Sequence, residues 1–98
     1  MVTIKRMPEF DSWIDGLKDG MTRIRLARRL DKVQRGLFGD VAPVGEGVQE
    51  MREFFGPGWR MYYTERNGTL IVMLGGGDKS SQQADIHRAI ALARTLTE

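Results

Sequence analysis

Hydrophobic residues recur every third or fourth position up to Leu37, and every second position beyond Gly47. A helix brings residues three and four apart onto one face, whereas a strand does so with alternate residues. The change of period divides the 98 residues into a helical first part and a sheet-forming second part. A chain of this length makes one domain with one modest core, so helices and strands must share it. The expected class is α+β.

Val2 to Arg6 alternates weakly and suits a short strand. Pro8 is placed for a helix start, and Glu9 to Lys18 sets Phe10, Trp13, Ile14 and Leu17 on one stripe. After a tight Asp19-Gly20 turn, Met21 to Leu37 carries Ile24, Ala27, Leu30, Val33 and Leu37 on a second stripe, with Gly36 and Gly39 marking its end. These form a helical hairpin. Asp40 to Gly47, with Pro43, Gly45 and Gly47, reads as a loop. A strand from Val48 to Glu53 follows, then a Gly56-Pro57-Gly58 turn. In the next strand Trp59, Met61 and Tyr63 share the face expected to meet the helices, leaving Arg60, Tyr62 and Thr64 on the other. Asn67-Gly68 signals a hairpin into Leu70–Leu74, whose apolar run suits a central strand. Gly75 to Ser81 reads as a loop, and Gln82 to Leu96 as a helix burying Ile86, Ala89, Ile90 and Ala93. The expected order is β-α-α-β-β-β-α, with helices on one sheet face and the other face partly open.

Composition excludes several functions. There is no cysteine, hence no disulfide, thiolate metal site or cysteine nucleophile. His87 is the single histidine, and no metal or cofactor is expected. No run of about 18 apolar residues exists, and Met1 to Pro8 lacks the apolar stretch of a signal peptide, so a cytoplasmic location is expected. Net charge is only +2, but Lys18, Arg23, Arg25, Arg28, Arg29, Lys32 and Arg35 face only Asp19 and Asp31 in their segment. One side of the molecule should be positive.

Three further cations, Arg52, Arg60 and Lys79, fall at matching places around the last strands. Like charges abreast on a sheet repel unless an anion lies between them, and a phosphate would serve. Gly75-Gly-Gly-Asp-Lys79-Ser has a superficial likeness to a phosphate-binding P-loop, but Asp78 intrudes and the glycine spacing is wrong.

Gly47-Val-Gln-Glu-Met-Arg52, Gly56-Pro-Gly-Trp-Arg60-Met-Tyr-Tyr63 and Gly75-Gly-Gly-Asp-Lys79-Ser-Ser-Gln82-Gln-Ala-Asp85, in that order, resemble the RelE/ParE superfamily of bacterial toxin–antitoxin toxins. Within it the similarity is to the HigB-like addiction module killer branch, over nearly the whole chain. The resemblance implies a RelE-like fold and a type II toxin that cleaves messenger RNA, by ribose 2′-oxygen attack on the adjacent phosphorus without a metal. It implies a small helix-turn-helix antitoxin as partner, the ribosome and messenger RNA as targets, and operator DNA only through the antitoxin. ParE-type relatives keep the fold but inhibit DNA gyrase by protein binding, and a phage-derived factor without nuclease activity is a third reading.

Arg60 matches the superfamily's Gly-x-Arg arginine, which contacts the scissile phosphate; its bland alternative is a solvated strand arginine. A guanidinium can grip two phosphate oxygens as charge develops. Arg52 would project beside it, or pair with a carboxylate across the sheet. Glu50 could take the 2′-hydroxyl proton, but the arginines would hold it charged and make it a poor base, so a structural partnership with Arg52 is the preferred role. Lys79 would reach the same face on a flexible glycine loop, as a phosphate contact or leaving-group acid, or else lie solvated beside the helix. Tyr62 could stack on a nucleobase. Ser81 and Asp85 read as the N-cap region of the last helix. His87 reads as solvent-facing, leaving the identity of the acid and base open. Arg25, Arg28, Arg29, Lys32 and Arg35 form a helix face that either merely solvates or docks on RNA.

Overall fold

The computed structural model describes residues 1–96. Its order is β1 (Thr3–Arg6), α1 (Pro8–Asp15), α2 (Gly20–Gln34), β2 (Val41–Gly45), β3 (Val48–Arg52), β4 (Arg60–Arg66), β5 (Leu70–Gly77), a 3₁₀ turn (Lys79–Ser81) and α3 (Gln82–Arg94). The class is α+β, with one five-stranded sheet in the order β1-β5-β4-β3-β2. Only β1 runs parallel to its neighbour, β5. No helix among the described residues is long and apolar enough to cross a membrane.

α2 begins where Asp19 accepts hydrogen bonds from the Met21 amide and the Thr22 hydroxyl, which lets Thr22 face inward. The buried stripe is therefore Thr22, Leu26, Leu30 and Val33. Ile24 and Leu37, expected inside, are 45% and 57% exposed. Gly36, at φ 85°, ends the helix, and the Leu37 amide returns to the Lys32 carbonyl.

Three expectations need correction. First, Val41–Gly45 is not a loop but an edge strand. Pro43 is tolerated there because an edge has spare donor positions, and Gly45, Glu46 and Gly47, all at positive φ, turn the chain into β3. Second, β5 runs on to Gly77, and two of its three glycines serve close approach rather than flexibility. A Cβ on Gly76 would lie 2.4 Å from the Trp13 ring, and one on Gly77 would lie 1.9 Å from Asp85 Oδ2. Third, both faces of the sheet carry helices among the described residues. α1 and α2 pack on Met51, Met61, Tyr63, Ile71 and Met73, while α3 covers Val48, Tyr62, Val72 and Leu74 on the other side. Ala89 and Ala93 are small enough for that helix to lie close to the sheet. The Asn67-Gly68 hairpin is present, with both residues at positive φ (57° and 72°).

Candidate functional site

β3 and β4 pair so that Arg52 lies directly opposite Arg60, and Glu50 opposite Tyr62. Glu50, Arg60 and Tyr62 project toward the face that α3 covers, whereas Arg52, the last residue of β3, turns to Asp40 at the strand end. The register brings the two arginines together as the sequence implies. Their counter-ions are the protein's own carboxylates.

Arg52 meets Asp40 in a two-point contact, Nε to Oδ2 at 3.1 Å and Nη2 to Oδ1 at 2.8 Å. Asp40 precedes β2, and its carbonyl accepts the Arg52 amide, so the missed edge strand is what supplies this partner. The Arg52 hydrogen bond holds the Asp40 carboxyl below the usual aspartate range. Each side chain is 37% exposed, so the pair stays at the surface.

Arg60 is buried, at 6% exposure. Its Nη1 donates to the Glu53 and Trp59 carbonyls at 3.2 and 3.3 Å. Nε lies 3.9 Å from Glu50 Oε1 and has no hydrogen-bond partner among the described residues. Glu50, 3% exposed, accepts from Gln82 Nε2 at 2.8 Å through its other oxygen. Glu50 therefore serves Arg60 and the start of α3, not Arg52 as expected.

Tyr62 is fully buried. It has no face on which a base could stack, which withdraws the role expected of it. Its hydroxyl sits close enough to Glu50 to feel that charge, yet makes no hydrogen bond of normal geometry. Burial first, then the Glu50 and Asp85 charges, push its ionisation well above the ordinary tyrosine range.

Lys79 is exposed, and its stem lies against Gly58: a Cβ there would be 3.5 Å from Lys79 Cβ and 3.9 Å from Arg60 Nη1. Arg52, Arg60 and Lys79 thus converge at one end of the β3–β4 ladder. The lysine is held there by the 3₁₀ turn, whose Asp78 accepts from the Ser80 amide and hydroxyl. Ser81 occupies the N-cap position of α3 as expected, but its side chain makes no capping bond; its hydroxyl donates to Asp85 at 2.6 Å, and Asp85 also pairs with Arg88. His87 is exposed.

The α2 cations divide. Arg29 is a staple, donating to the carbonyls of Phe38, Asp40 and Arg52 and to the Glu53 carboxylate. With its side chain 11% exposed, it is withdrawn from the expected RNA-facing set. Arg25 lies 3.7 Å over the Phe55 ring. Arg28, Lys32 and Arg35 are exposed and make no ion pair among the described residues. Asp40, Glu53, Gln82 and Phe54 were missed in the sequence. Only Phe54-Phe55, two aromatics in a turn, gave a signal there.

No protein-family model matches the chain, and no solved structure matches it. An uncharacterized protein of Haemophilus influenzae is 40% identical over 95 residues, covering 97% of this chain and 96% of that protein. The chain belongs to the same family as that protein.

Proposed function

We propose that this chain is the toxin of a type II toxin–antitoxin module, of the HigB-like branch of the RelE/ParE superfamily, and that it cleaves messenger RNA in the cytoplasm on the translating ribosome. The observation that carries the reading is Arg60 with Arg52 opposite it across the ladder and Lys79 beside it at Gly58, its buried Nε still lacking a hydrogen-bond partner among the described residues. An unmet donor on a buried guanidinium is costly and is kept where function uses it.

In this mechanism the ribose 2′-oxygen attacks the adjacent phosphorus in line, its proton passes to water, and the bond to the 5′-oxygen breaks. Arg52 and Lys79, the accessible cations, grip the phosphate, and the Lys79 ammonium gives its proton to the departing oxygen. Arg60 sets the potential from below. Glu50 is too deep to reach a 2′-hydroxyl and instead holds Arg60 in place. A small helix-turn-helix antitoxin would neutralise the protein and carry the pair to operator DNA.

A second reading has its own observation. Arg52 and Arg60 already have carboxylate partners, which suits a ParE-like toxin that inhibits DNA gyrase through protein contacts. Primer extension on a reporter messenger RNA, with and without translation, separates the two. Cuts are expected under translation. A folded protein that leaves RNA intact but induces DNA-damage signals in cells overturns the nuclease reading.

A further inference from the structure

We propose that a pocket between the C-terminal end of α2 and the β3–β4 loop holds one nucleotide of single-stranded RNA, its base stacked on Phe54 and its phosphate between Lys32 and Arg52. The inference rests on the RNA-cleaving reading and extends it: it moves base recognition from Tyr62 to Phe54, which lines the same pocket as Arg52.

The pocket has a volume of about 370 Å³, and Lys32, Leu37, Arg52, Glu53 and Phe54 line it. That is within the range of roughly 300–1,000 Å³ typical of small-ligand sites. Phe54 is 79% exposed although its neighbour Phe55 packs into the core under the Arg25 guanidinium. Consecutive aromatics in a tight segment cannot both turn inward, but a solvated phenyl needs no cationic surroundings. Here the ring shares its pocket with Leu37, also mostly exposed, and with Lys32, which has no ion pair among the described residues. An apolar ring and stem beside a lysine and an arginine offer the two things a nucleotide presents, a flat base and a phosphate.

Charge complementarity favours the polyanion. The lining carries Arg29, Lys32 and Arg52 against Asp40 and Glu53, and exposed Arg28 and Arg35 extend the positive field along α2. The floor is rigid, because Arg29 ties the Phe38, Asp40 and Arg52 backbones together. Gly39 makes this possible, at φ 70° and with its absent Cβ 3.1 Å from Arg29 Nη2. Arg52 belongs to both the pocket and the Arg60–Lys79 convergence, so a strand seated on Phe54 continues directly to the phosphate proposed for cleavage.

The test is fluorescence anisotropy with a labelled, uncleavable 2′-O-methyl uridine decamer and a matching abasic decamer. Phe54→Ala should weaken the uridine oligomer about tenfold, and Phe54→Tyr should restore it. Neither change should move the abasic oligomer. Lys32→Ala should lower the slope of log affinity against log salt by about 0.7 for both oligomers. Equal binding of the uridine oligomer by Phe54→Ala and the parent overturns the proposal, as does failure of the parent to bind it. Because the oligomer cannot be cut, Phe54-dependent binding by a protein that cuts no messenger RNA keeps this site and discards the nuclease. Cleavage that proceeds while Phe54 proves irrelevant to binding does the reverse.

Discussion

Arg52 and Arg60 are direct partners across β3 and β4, yet their guanidinium groups turn to different carboxylates, Asp40 and Glu50. Two cations abreast would repel, and the fold resolves this with one counter-ion at the surface and one in the interior. The surface pair is bidentate and leaves more than a third of each side chain in water. The interior pair is loose, at 3.9 Å, and almost dry. A phosphate can therefore compete for Arg52 far more readily than for Arg60.

Asp40→Asn should release Arg52. RNA binding is expected to tighten, with the salt slope steeper by about 0.7 for a single strand. Titrations at several salt concentrations check this, and an unchanged slope means that Arg52 meets no phosphate. The same variant has a pH signature. Arg52 lowers the Asp40 value in the folded state, so the pair's contribution to stability is present above the ordinary aspartate range and fades as pH falls through the folded value. Asp40→Asn should flatten that acid decline.

Arg60→Ala is a poor test by itself, because it leaves a buried Glu50 without its counter-ion. Removing one member of a buried pair costs about 3 kcal/mol, enough to confuse lost activity with lost fold. Arg60→Met combined with Glu50→Gln removes both charges at similar volume. Urea melts should show most of the stability restored while RNA cleavage stays abolished. A stable double variant that still cuts at the parent rate removes Arg60 from the mechanism.

The three consecutive glycines of β5 should respond unequally to alanine. At Gly76 the new Cβ meets Trp13, whose ring packs against Phe10 and Trp59. At Gly77 it meets Asp85, tied to Ser81. Each change should cost about 2–3 kcal/mol. Gly75 has nothing within 4 Å of its Cβ position, so Gly75→Ala should lie within about 0.5 kcal/mol of the parent. Equal effects at all three positions would assign them to loop flexibility after all.

What the sequence made legible was set by periodicity and turn chemistry. The two N-terminal helices, the Asn67-Gly68 hairpin and the central apolar strand each carry a local signal that tertiary packing respects. β2 carries none, since Pro43 and the flanking glycines speak for a loop until β3 offers an edge to pair with. Thr64 and Arg60 suggested a wet face, but Val72 and Leu74 on the neighbouring strand decide that face's character, and α3 covers it. The arginines were found by residue type and spacing. Asp40, the partner of Arg52, was not, because it reaches that arginine only through the pairing of β2 with β3, and Gln82 meets Glu50 only across the fold.

Tyr62 offers the sharpest separation between a structural and an RNA-contacting residue. Its hydroxyl is buried, lacks a well-formed hydrogen bond and lies near the Glu50 charge. Tyr62→Phe should leave stability at neutral pH unchanged or raised by up to about 1 kcal/mol, because the deleted group is poorly satisfied in the fold. Its effect should grow in alkali. The folded state holds the phenol protonated while the unfolded chain ionises near pH 10, so Tyr62 depresses stability as pH rises beyond about 10. Tyr62→Phe should move the alkaline unfolding midpoint upward. Tyr63, also raised by burial, contributes in the same sense, so Tyr63→Phe is the matched control. RNA binding by Tyr62→Phe should equal that of the parent, and a tenfold loss there would return base stacking to the α3 side of the sheet.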